Sequence, residues 1–191
     1  MAHGIEAHET SLPDALLLAP AVHGDARGFF QETWRRDEFA ALGVTDDFVQ
    51  DNHSRSMRGV VRGMHLQVGD GVAKLVRCVR GEIFDVLLDV RHGSPAYGRW
   101  EAFTLDDREH LMVYVPVGFA HGFCVLSDVA DVVYKQTAYY APALERGVAY
   151  DDPDLAIAWP ADLDLIVSDR DRAAPQLREI AAELPFSYVQ R

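Results

Sequence analysis

Residues 50–74 read QDNHSRSMRGVVRGMHLQVGDGVAK, and the reading of this stretch decides the fold. Val60 and Val61, close to two glycines, mark a strand rather than a surface loop, because β-branched side chains fit a pleated sheet. Gly59 and Gly63 permit a bend or a close backbone approach. The strand also carries Arg62 and His65, with Lys74 shortly after. Turning cations and an imidazole toward one cavity is costly unless an anionic ligand or carboxylates meet them there. Histidine is the side-chain type that exchanges a proton near neutral pH, which makes His65 a candidate base. Gln50 and Asn52 add amide donors and acceptors. The stretch therefore reads as the floor of an active site for an anionic substrate.

Downstream, strand signals recur at short spacing with Gly, Pro or Asp between them: residues 75–79, 82–90, 100–105, 111–115, 122–126 and 132–139. Residues 82–90 alternate, with Phe84, Val86, Leu88 and Val90 on one face and Asp85, Leu87 and Asp89 on the other. Many short strands at such spacing predict an all-β sandwich or barrel. Upstream, residues 15–18 form a short apolar strand. In HGDARGFFQETW, residues 23–34, a turn precedes another strand. Arg27 in that turn is either solvated or ligand-facing. Phe29 is either core or a surface on which a base stacks. Residues 37–42 form a helical turn that Gly43 stops, and residues 1–14 are expected to be exposed or exchanged. In the tail, SDRDRAAP leads into a helix over about 175–184, whose Leu177, Ile180, Ala181 and Leu184 make one packing stripe. With no internal repeat and no linker, residues 1–191 read as a single domain.

The charge balance of 18 Lys+Arg against 30 Asp+Glu argues against nucleic acid as a partner, since a phosphate backbone needs a basic field. A small anionic substrate would need positive charge gathered locally. Cys78 and Cys124 sit in apolar runs and read as reduced core thiols. No apolar run is long enough for a membrane helix, so a cytoplasmic location without membrane attachment is expected.

The string PVGFAH, residues 116–121, is similar to the second half of a cupin signature. A metal cupin also needs His-x-His and a carboxylate, but residues 63–67 read GMHLQ and Lys74 follows. A lysine among the ligands would repel a divalent cation. Neither a metal nor another cofactor is expected.

Taken together, QDNHSRS, GVVRGMHLQ, KLVRCVRGEIFDVLLDVR, VPVGFAHGF, YKQTAYY and SDRD resemble, in this order, the dTDP-4-dehydrorhamnose 3,5-epimerase family. That resemblance implies a metal-free cupin, a jelly-roll β-sandwich, acting on a dTDP-linked 4-keto-6-deoxy sugar. It implies His65 as general base, Asp171 as its carboxylate partner and Tyr134 as general acid. Lys74, His121 and Arg62 would surround sugar and phosphates. Arg27, Glu32, Gln50, Asp51 and Asn52 would contact the nucleotide, Tyr140 would stack on thymine, and Glu145 would touch the ligand. Arg170 stands where the family usually has lysine, Leu66 where an aromatic is common, and Met64 where leucine is common. The resemblance also implies a homodimer whose N-terminal strands pair with the partner.

The chemistry suits these residue types. A C4 ketone acidifies the C–H bonds at C3 and C5. A base on one face, an acid on the other and a cation at the enolate oxygen then suffice for inversion. Asp171 can fix the His65 tautomer only if the tail folds back over the strands, and Asp85 competes for that role. Arg62 and His65, three apart, share a pocket only if Gly63 marks a bulge or Arg62 serves the cavity from its rim. Three other functions compete: epimerisation at C3 or C5 alone, a non-catalytic sugar-nucleotide-binding cupin, and, weakest, a metal-dependent oxygenase.

Overall fold

The computed structural model describes residues 4–190. The first sheet contains β1 (Ile5–Glu9), β2 (Leu16–Pro20), β5 (Gln50–Met57), β7 (Lys74–Arg80), β10 (Met112–Val115) and β12 (Val129–Gln136). Its spatial order is β1-β2-β10-β7-β12-β5. The second contains β6 (Val60–Gln67), β8 (Glu82–Asp89), β9 (Trp100–Asp106), β11 (Phe119–Val125) and β13 (Glu145–Gly147), ordered β13-β6-β11-β8-β9. A two-residue strand, β14 (Ile166–Val167), runs parallel to β6. β3 (Val22–Asp25) and β4 (Gly28–Gln31) form a separate hairpin, and α1 (Arg36–Ala41) follows it. The architecture is an all-β sandwich, as the strand spacing predicts, in the jelly-roll form that the family resemblance implies.

Alternation along the strands builds the core. Val76, Cys78, Val113, Val115, Ala130 and Val132 from the first sheet meet Ile83, Leu87, Leu105, Phe119, Phe123 and Val125 from the second. The other face of β8 is not solvated either. Val86, Leu88 and Val90 pack under Leu155, Ile157, Leu177, Ile180, Leu184 and Phe186 of the returning tail. This explains why residues 82–90 are apolar on one face and mixed on the other. The mixed face looks into the sandwich, so Asp85 and Asp89 are fully buried.

The two ends of the chain add detail to the sequence reading. Within residues 1–14, Ile5–Glu9 pairs antiparallel with the chain's own Leu16–Pro20, and Leu12 is buried; residues 1–3 lie outside the described residues. The helix expected over 175–184 is shorter. α3 spans Leu177–Ile180, and a 3-10 turn continues over Ala181–Glu183. Its N-terminus is closed by Glu179, whose carboxylate accepts the Gln176 N–H at 2.8 Å.

The bulge at Gly63 is present. His121 stands opposite His65 and Phe123 opposite Arg62, so β6 spends three residues where β11 spends two. Gly63 has φ +118°, and a Cβ there would fall 2.5 Å from the Gly122 Cα. Gly63→Ala is therefore expected to cost at least about 2 kcal/mol of stability, read as a lowered unfolding midpoint in urea.

Candidate active site

His65 lies in the middle of β6, and its Nε2 is 2.7 Å from Asp171 Oδ1. The tail achieves this by adding β14 to the edge of β6, with Ile166 beside Val60 and Val167 beside Val61. Immediately afterwards α2 (Asp169–Arg172) begins, and the Ser168 side chain caps it by accepting the Asp171 N–H at 3.1 Å. Burial pushes the Asp171 carboxyl up, but the His65 bond, the Ser168 hydroxyl and the Gly63 backbone outweigh it and hold it below its ordinary value. Asp85, the competing partner, is bonded instead to His121 Nε2 at 2.9 Å.

The first sheet supplies the opposite wall. Gln136 is paired with Gln50 on one side and Lys74 on the other, while Tyr134 is paired with Asn52 and Val76. Residues directly opposite, or two apart along a strand, share a face, so Gln50, Asn52, Lys74, Tyr134 and Gln136 all point inward. Gln50 Nε2 donates to Asn52 Oδ1 at 2.9 Å, and Asn52 Nδ2 donates to Gln136 Oε1 at 2.6 Å. Burial pulls the Lys74 ammonium down to about 8, against the opposing pull of Asp85 and Glu145. Burial raises Tyr134, opposed by Arg62, so the phenol carries its proton at neutral pH.

His65, Lys74, Tyr134, Gln136, Tyr140 and Glu145 line one hollow, together with Leu66, Gln67 and Val72. It encloses about 410 Å³, counting its mouth open to solvent. The rim is a charged network. Glu145 Oε2 accepts from Tyr140 Oη at 2.7 Å and from Arg170 Nη1 at 2.8 Å. Burial raises the Glu145 carboxyl, yet Arg170 and Tyr140 hold it below its ordinary value. Arg170 Nη2 also stands 3.1 Å from His65 Nε2. A single Nε2 proton cannot serve both neighbours. A carboxylate accepts and a guanidinium only donates, so the proton belongs on Nε2 toward Asp171, and Nδ1 is left for proton transfer.

Not every residue picked from the sequence converges here. Arg62 is exposed and donates to Ser56 Oγ at 2.9 Å, at the edge of the site. Asp51 faces away and pairs with Lys135 at 2.9 Å. Arg27 is ion-paired with Asp25 at the hairpin tip, the Phe29 ring meets that of His110 at a 43° tilt with centroids 4.6 Å apart, and Glu32 lines a different, largely apolar cavity beside Ile5 and Phe30. Conversely, Gln136, Gln67 and Ser168 were not singled out. Gln67 Oε1 accepts the Ala141 N–H at 2.9 Å and so fixes the segment that carries Tyr140. Gln136 and Gln67 were findable by alternation, being two residues from Tyr134 and His65. Among the described residues, no group of three or more His, Cys, Asp or Glu is arranged to hold a metal ion.

Comparison with known proteins matches this chain to one family. The family described as dTDP-4-dehydrorhamnose 3,5-epimerase matches residues 9–179. A dTDP-4-dehydrorhamnose 3,5-epimerase from Neisseria gonorrhoeae is 47% identical over 86% of this chain, and the chain spans half of that relative's length. A dTDP-6-deoxy-D-glucose-3,5-epimerase from Legionella pneumophila, solved with dTDP-4-keto-L-rhamnose, superposes with a TM-score of 0.94 at 43% identity, covering 97% of this chain and all of that one. A 3'-monoepimerase from Streptomyces bikiniensis, solved with dTDP-quinovose, superposes with a TM-score of 0.86 at 40% identity, covering 92% of this chain and 90% of that one. The chain belongs to the dTDP-4-dehydrorhamnose 3,5-epimerase family.

Proposed function

We propose that this protein epimerises a dTDP-linked 4-keto-6-deoxyhexose at C3 and C5 through an enolate. The observation that carries the reading is the His65–Asp171 pair at 2.7 Å, set in a hollow that Lys74 and Tyr134 also line. His65 Nδ1 removes the proton from carbon, and the imidazolium is stabilised by Asp171. The electron pair moves onto the C4 oxygen, where the Lys74 ammonium meets the new charge. Tyr134 delivers its phenolic proton to the other face of the same carbon and recovers one from solvent. Arg170 and Arg62 suit the diphosphate, and Tyr140 presents an aromatic face at the mouth for the base.

Incubation with the 4-keto sugar nucleotide in deuterium oxide tests this. Deuterium is expected at both C3 and C5 of the product; folded protein that exchanges neither carbon removes the reading. Tyr134→Phe is expected to keep exchanging the abstracted proton while inverted product falls by roughly 10²-fold. The similarity to a monoepimerase supports a second reading, inversion at one carbon, which deuterium at a single position would favour.

We also propose a homodimer in the cytoplasm. Phe29 and Phe30 remain 59% and 67% exposed on the hairpin. Arg27, Phe29 and Glu32 stand outside the hollow, so in this reading they would serve the hollow of a second copy. Sedimentation at twice the 21.3 kDa chain mass is expected. Two buried thiols without a disulfide fit a reducing compartment, and no helix among the described residues is long and apolar enough to cross a membrane.

A further inference from the structure

Asp85 is fully buried, and only one of its oxygens is spoken for. Oδ2 accepts from His121 Nε2 at 2.9 Å, while Oδ1 has no hydrogen-bond partner. Alternation puts Asp85 between Ile83 and Leu87 on the inner face of the second sheet, and Lys74 in line with Val76 and Cys78 on the inner face of the first. The two charges therefore point into the same gap. His121 is the strand partner of His65, and the Lys74 ammonium lies 3.5 Å from the His65 carbonyl oxygen. Lys74, His65, His121 and Asp85 form one contiguous group beneath the hollow.

We propose that Asp85 is a positioning residue: it keeps Lys74 charged and aimed at the oxygen that turns negative during the reaction, and His121 holds it in place. The inference rests on the epimerase reading above. A buried carboxylate with a bare oxygen persists in a core only where positive charge stands close by. Lys74 needs the same help in reverse, because burial weakens its hold on its proton. Of the two carboxylates that resist this, Asp85 acts more strongly than Glu145. Glu145 is also already engaged by Tyr140 and Arg170. With a midpoint of about 8, Lys74 is charged in roughly nine molecules of ten at pH 7; one unit lower, that falls to about half.

The chain contains two lysines, Lys74 and Lys135, so protein labelled at lysine 13Cε gives two titrating signals. Lys135, on the outer face and paired with Asp51, is the internal control. In Asp85→Asn the Lys74 midpoint is expected to fall by about one unit or more, a tenfold loss of proton affinity. The Lys135 signal stays in place, and the alkaline loss of kcat moves down with Lys74. In His121→Gln the carboxylate remains, and the Lys74 midpoint is expected to hold. Asp85→Ser gives the same reading as the amide if the amide does not fold. A folded Asp85 variant with the parent's Lys74 midpoint overturns the proposal. So does a His121→Gln protein whose midpoint falls as far as that of Asp85→Asn. The titration needs no substrate, so a parent protein without turnover would count against the epimerase reading alone.

Discussion

The His65→Asn variant is expected to turn over the 4-keto sugar nucleotide roughly 10²–10⁴-fold more slowly than the parent, the range for loss of a general base. Asparagine keeps a polar group against Asp171, and the position is a quarter exposed, so the fold should survive the change. What disappears is the nitrogen that takes the carbon-bound proton in the proposed mechanism. Deuterium incorporation at C3 and C5 should fall together with product formation, because abstraction precedes both. Binding of dTDP, followed by calorimetry, should change little. Exchange at the parent's rate in the variant would move the base to another residue.

Asp171→Asn is expected to be about as damaging, with kcat down by up to roughly 10⁴-fold, the scale known for the same change in a Ser-His-Asp triad. The carboxylate can only accept, which places the imidazole proton on Nε2 and leaves Nδ1 free. An amide can donate to Nε2 instead, which puts the proton on Nδ1, where it blocks abstraction. The amide also offers no charge to the imidazolium. Because the two residues act as a unit, the double variant is expected to be little slower than His65→Asn alone. Additive losses would separate them into independent roles.

Asp171 also has a pH signature. Its folded carboxyl titrates below the ordinary 3.8. It therefore contributes stability above that value and loses it as pH falls through the lower folded one. Acid unfolding of the parent should show this loss, and Asp171→Asn should lack it.

The sequence carries the sandwich in its alternating strands, since each inward residue has to match the pleat. It also carries most of the hollow: His65 and Lys74 sit in a stretch that points to anion chemistry, and the family resemblance adds Tyr134, Glu145, Arg170 and Asp171. Three things were harder to read. The placing of Asp171 depends on a two-residue parallel pairing, too short to leave a periodic signal. The role of Asp85 was ambiguous because its strand is buried on both faces, which alternation alone does not separate. Arg27 and Phe29 lie on a hairpin that stands apart from the hollow of this chain, with Glu32 just past it, so local pattern gives no clue to what they meet.

Lys74 ties the enzyme's endurance and its output to opposite ends of the pH scale. Unfolded, this amine would keep its proton up to its ordinary 10.5; folded, it lets go near 8. Between those values the unfolded chain binds the extra proton, so the contribution of Lys74 to stability grows as the medium turns alkaline. Across the same interval the ammonium that the proposed reaction calls for is vanishing. The help that Lys74 gives to the fold and the help it would give to turnover should therefore peak at different pH.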